Sequence, residues 1–264
     1  MRPTARGIRK LSVRLLLALL AVLLLYVGTL VFPSPLFAYE AGFGSYRVYS
    51  DDPIPADLEH VIEEAVRRVE AMEHAPAPSR QRVYLCNNPK LYAFFAFLTR
   101  KSEKSLAIGL SVANETFVSV SRVREFAARN RGVLRHTRFE GNLAEVIAHE
   151  IAHFNSARAL GFRAHMRQPV WKSEGWAEYQ ANVAAIRADP AYSLHERIGL
   201  LLEDDSWSGN GVARDLWEWQ ILAEFLGEVK GYRLEDLVRE DVTLSSAREQ
   251  MMDWYRRQGS RGPR

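Results

Sequence analysis

The chain has 264 residues, 47% hydrophobic and 25% charged, a balance that supports a globular core and excludes a disordered chain, a collagen or a coiled-coil rod. A net charge of +3 and a pI near 9.0 fit a nucleic-acid or anionic-membrane binder only if the charge is spread over the surface. It is not: residues 1–14 carry five basic residues and no acid, the stretch from Arg256 carries four, and residues 15–255 net −6, so nucleic acid is not an expected partner.

Arg2, Arg6, Arg9, Lys10 and Arg14 abut the run LLLALLAVLLLYVGTLVF, Leu15–Phe32, which holds no charged residue. Eighteen residues at about 1.5 Å each come close to the ~30 Å of a bilayer core, so the run reads as a membrane segment. A cleaved secretory signal has a shorter apolar region and a small-x-small site; the nearest match, ending at Ala38, places bulky Leu36 where a small residue is preferred. The reading is therefore an uncleaved signal-anchor over 15–32, with secretion after cleavage as the alternative. The basic flank, 1–14, stays cytoplasmic by the positive-inside rule, so the rest of the chain is expected on the far side of the membrane, the periplasmic side in a bacterium.

Residues 33–45, rich in Pro, Gly and Ser, read as a linker. Tyr46–Ser50 alternates as a strand, and Pro53–Glu73 carries Leu58, Val61, Ile62, Ala65, Val66 and Val69 at helical spacing. Arg82–Cys86 is a second strand, and its Cys86, with no partner in the chain, reads as a small buried hydrophobe. Leu91–Leu98 is a short apolar helix, and residues 106–112 and 116–121 form a hairpin about Ala113, Asn114 and Glu115. From about Asn142 onward the chain reads as helices and loops. A strand-rich half followed by a helical half is an α+β organisation, with a single domain over 46–255 and a basic tail over 256–264.

The helical half opens on chemistry. In EVIAHEIAHFN, residues 145–155, His149 and His153 stand four apart, one turn of helix, so both imidazoles reach one metal ion, and Glu150 is displaced around the helix toward a water that such a metal would activate. With one cysteine in the chain, a zinc site must draw on His and carboxylates, and a catalytic one takes three protein ligands. WKSEGWAEY, residues 171–179, offers Glu174, after a separation long enough for a second helix to return. Glu178 lies one turn further on the same face, placed to accept a hydrogen bond from a ligand histidine.

HExxH followed about twenty residues later by Glu in an EGWA context resembles the gluzincin, or peptidase MA-like, zinc metallopeptidases, the group of thermolysin and aminopeptidase N. The resemblance is strong over about 30 residues and loose over perhaps 150. It implies one catalytic zinc held by His149, His153 and Glu174, Glu150 as general base, and Glu178 as the acidic residue four after the third ligand, Glu here where thermolysin has Asp. It also implies a zincin-like fold: a small mixed sheet whose edge strand binds extended peptide, then the active-site helix, then a helical subdomain that residues 216–238 resemble. No GAMEN-like exopeptidase motif is present, and Ser156 and Ala159 occupy positions that metzincins need for their own pattern.

The expected activity is hydrolysis of peptide bonds in extracytoplasmic proteins or peptides by zinc-activated water; the alternative is a catalytically silent domain of the same fold acting as a scaffold or regulator at the membrane. Tyr192, His195, Tyr232 and Tyr255 are equal candidates for stabilising the oxyanion. His60, His74, His136 and His165 read as surface histidines, and Trp207, Trp217 and Trp219 read as helix packing and loop.

Overall fold

A computed structural model describes residues 5–74, 80–137, 142–188, 193–203, 211–239 and 241–259; Tyr192, Trp207, Arg261, Arg264 and the side chain of His136 lie outside the described set. The first helix, α1 (Ala5–Val31), is exposed along its apolar length and is long and apolar enough to cross a membrane.

The body is mixed α and β, built on one five-stranded sheet. Its strands β1 (Tyr39–Phe43), β2 (Tyr46–Ser50), β3 (Gln81–Cys86), β4 (Ala107–Leu110) and β5 (Glu115–Ser119) lie in the order β1-β2-β3-β5-β4. The central pairs β2/β3 and β3/β5 are parallel, which requires crossovers: α2 (Leu58–Glu70) supplies the first and α3 (Pro89–Thr99), with β4, the second. The edge pairs are antiparallel hairpins.

Strand β1 corrects the linker reading of 33–45. The Gly-Ser content taken for a linker is instead the two-residue turn Gly44-Ser45, with Gly44 at φ 58°, and it pairs Phe43 with Tyr46. The helix expected over 53–73 runs from Leu58 to Glu70; Pro55 disfavours helical backbone at Ile54, and so the helix starts after it. Strand β5 stops at Ser119, and the helical half begins at once with α4 (Val120–Thr137), earlier than Asn142. The hairpin turn falls at 111–114, with Asn114 left-handed at φ 53°. At the far end α11 (Leu244–Gly259) continues through residues 256–259, so the start of the basic tail is helical.

Both faces of the sheet are covered, as a sheet with a parallel centre requires. On one face Val48, Val83, Leu85 and Val118 pack against α2, α5 (Leu143–Leu160) and α7 (Val170–Ala188). On the other, Tyr84, Cys86 and Phe117 pack against Phe37 and against Tyr92 and Phe95 of α3. A separate helical core joins α7 to α8 (Leu194–Glu203), α9 (Gly211–Glu224), α10 (Leu234–Arg239) and α11, and α9 ends in a π-turn over Phe225–Val229. Helix α7 serves both cores, giving Ala177 and Ala181 to the first and Trp176, Tyr179 and Val183 to the second.

Candidate metal centre

Helix α5 carries the histidines through the middle of the molecule. The Asn142 side chain caps it by accepting from the Glu145 amide at 2.9 Å, and Gly161 closes it at φ 79°. Its apolar residues Ile147, Ile151 and Phe154 are buried, which fixes the rotation of the helix and leaves His149, Glu150 and His153 half-buried. The short helix α6 (Phe162–His165) turns the chain, and α7 then lies against α5.

Glu174 of α7 meets both histidines there. Nε2 atoms of His149 and His153 stand 3.0 Å apart, and Glu174 Oε2 lies 3.3 Å from the first and 3.6 Å from the second. These three donor atoms fall within 4.8 Å of one another and could hold a metal ion. The opposite ring nitrogens are also engaged: His149 Nδ1 lies 3.1 Å from Glu178 Oε1, and His153 Nδ1 is 3.4 Å from Ser173 Oγ. Glu178 is buried, as a residue on the inner side of α7 must be.

The charges in the cluster are mutually adjusted. Burial works to lower the His149 pKa, but Glu178 and Glu174 outweigh it and hold it well above the ordinary value. Burial works to raise Glu174, but its hydrogen bonds to both histidines hold it well below the usual carboxylate range. Glu150 moves the other way: burial raises its pKa, partly offset by the two histidines. Across from it, strand β4 passes so close that a Cβ on Gly109 would stand 2.6 Å from Glu150 Oε2 and 2.5 Å from Phe154 Cε1. Among the described residues β4 is an edge strand, with β5 as its strand neighbour.

Two neighbours of the cluster were not anticipated. His165, read as a surface residue, has its ring 5.7 Å from that of His153; burial and the charge of His153 lower its pKa to about 4, so it is neutral near pH 7. It arrives through the turn at Gly161, which no helical spacing reveals. Ser173 stands directly before Glu174, and that adjacency was the available signal. By contrast His195 stacks on Tyr255, with ring centres 4.3 Å apart, and Tyr255 and Tyr232 pack against the helical core. Trp217 and Trp219 pack in that core as well. His60 and His74 lie on the surface, His60 beside Glu63 and His74 beside Glu235. The glycine of the EGWAE stretch has a packing reason: a Cβ on Gly175 would meet the Trp219 carbonyl oxygen at 2.4 Å, so only glycine lets α9 lie against α7 there.

No protein-family model matches the chain, and no curated protein matches it significantly.

Proposed function

We propose that the chain is a membrane-anchored zinc peptidase that hydrolyses peptide bonds of proteins or peptides on the non-cytoplasmic side. The observation that carries this reading is the convergence of His149 Nε2, His153 Nε2 and Glu174 Oε2, with the carboxylate of Glu150 beside them facing β4. Two imidazoles and a carboxylate suit zinc, and a three-ligand set leaves one position open. The cluster fits such an ion on its own evidence: both Nε2 atoms face the shared space while Glu178 and Ser173 stand at the two Nδ1 atoms.

When bound, zinc polarises a peptide carbonyl and lowers the pKa of water to about 7. Glu150 accepts the proton of the attacking water and returns it to the leaving amine, a shuttle that its raised pKa favours. Glu178 orients the His149 ring, and His165, neutral, adds no competing charge beside His153. As an edge strand among the described residues, β4 offers backbone hydrogen bonds to an extended peptide running past Glu150. Helix α1 is the anchor, and the five basic residues before its apolar run hold its N-terminus in the cytoplasm.

The test is metal analysis of the detergent-solubilised full chain together with cleavage of an unstructured protein by wild type and Glu150→Ala. The variant is expected to keep zinc and thermal stability while losing on the order of 10²- to 10⁴-fold in rate. Cleavage unchanged in Glu150→Ala overturns the mechanism. Zinc bound with no cleavage by the wild type supports the silent scaffold instead.

A further inference from the structure

Helix α3 is apolar on two sides, and among the described residues only one of them is covered. Its inner side, Tyr92, Phe95 and Ala96, is buried against the sheet. On its outer side Phe94 is 42% exposed and Phe97 80% exposed, one turn apart, with Lys90 four residues before the first and Lys101 four after the second. A helix that is hydrophobic all round belongs in a core or at a membrane. Residues 90–104 also net +3, in a body that nets −6. Exposed aromatics bracketed by lysines match the polarity of a headgroup layer, which takes rings at its apolar boundary and cations at its anionic surface.

The position of α3 says which surface covers it. Tyr26 Oη of α1 donates to the Leu98 carbonyl at 2.7 Å. Tyr26 lies inside the apolar run, six residues before its end at Phe32, so the end of α3 reaches ~9 Å below the exit of α1 at about 1.5 Å per residue. That matches the roughly 5–10 Å to which interfacial helices sink their apolar face. The segment leaving α1 packs under the same helix through Phe37 on Phe95, with Phe32 and Leu36 exposed beside it.

We propose that the outer face of α3 lies in the headgroup layer of the bilayer that α1 enters, seating the candidate metal centre beside the membrane so that its substrates are membrane-proximal segments. The proposal rests on the reading of α1 as a membrane span and, for its substrates, on the proposed hydrolysis. The link from α3 to the candidate metal centre is short: Tyr92 Oη and Ser105 Oγ are 2.8 Å apart, holding the loop that leads into β4, where Gly109 faces Glu150.

The only cysteine is buried, so an introduced one takes a spin label selectively. Full-length protein is labelled at Leu20→Cys in α1, Phe97→Cys in α3 or His60→Cys on the opposite side of the sheet, and reconstituted in phosphatidylcholine–phosphatidylglycerol vesicles. Collision with oxygen, which concentrates in lipid, is compared with collision with a water-soluble nickel chelate. Labels at 20 and 97 are expected to favour oxygen severalfold over the label at 60. A label at 97 that matches 60 while 20 stays in lipid overturns the proposal and leaves the anchor standing. A label at 20 open to the chelate overturns the anchor and the seating together. Shielding of 97 from both reagents means that protein covers the helix, which also overturns it. A cleavable peptide tethered to the vesicle lipid is expected to be cut faster than the same peptide free, and Phe94→Ser with Phe97→Ser to abolish that preference while leaving the free-peptide rate unchanged. Equal rates in the wild type overturn the substrate assignment, and no cleavage of either form overturns it together with the hydrolase reading.

Discussion

Gly109→Ala probes the closest approach between the sheet and the candidate catalytic helix. The new methyl would stand 2.5 Å from Phe154 Cε1 and 2.6 Å from Glu150 Oε2, where relaxed carbon contacts lie at about 3.5–4.0 Å, so some group must move by ~1 Å. Phe154 is buried in the main core and is held on its other sides, which leaves Glu150 or the strand itself to yield. Overpacking of this kind costs about 1–3 kcal/mol, or roughly 3–10 °C in Tm for a domain of this size. A misplacement of ~1 Å at a proton-transferring carboxylate costs on the order of 100-fold in rate. The assay pairs thermal unfolding and zinc content with hydrolysis of an unstructured protein. The expected variant is folded, zinc-loaded, modestly less stable and about 100-fold slower. Wild-type rate and Tm in Gly109→Ala would refute both the packing argument and the placement of Glu150 at the reaction.

Two further outcomes follow from charges around the sheet and the cluster. Glu178→Gln removes the carboxylate facing His149 Nδ1 and is expected to weaken zinc affinity about 10- to 100-fold, measured by competition with a chromogenic chelator; unchanged affinity would remove Glu178 from the site. Glu115 is fully buried beneath Arg82, 3.0 Å away, and burial raises its pKa to about 7. Because the folded state holds this proton more tightly than the unfolded chain, its contribution is fully present below about pH 4.5 and is lost as pH rises through about 7. Glu115→Gln is therefore expected to flatten urea-denaturation stability between about pH 4.5 and pH 7, by up to roughly 1.4 kcal/mol per pH unit. An unaltered pH slope would show that the carboxyl is not the group responsible.

The histidine helix was legible because its chemistry and its periodicity coincide: a turn of helix separates His149 from His153, and Ile147, Ile151 and Phe154 mark the buried side. Glu174 and Glu178 were legible for the same reason, being one turn apart on a helix long enough to return. Strands β2 and β3 stood out by their aromatic and β-branched residues. What escaped depends on contacts that only the assembled chain makes. Strand β1 is half exposed, and its Gly44-Ser45 turn shares its composition with a linker. His165 becomes a neighbour of His153 through one glycine-initiated turn, and Gly175 is explained only by the backbone of α9 arriving 44 residues later.

Helix α7 is common to both hydrophobic cores, and it holds one donor of the proposed metal site while α5 holds the other two. A nascent chain from which only α5 has emerged therefore carries two of the three donors and lacks the third. On the proposed reading, synthesis must therefore pass beyond α7 before the three donors can stand together, which ties the site to the helix that joins the two halves of the fold.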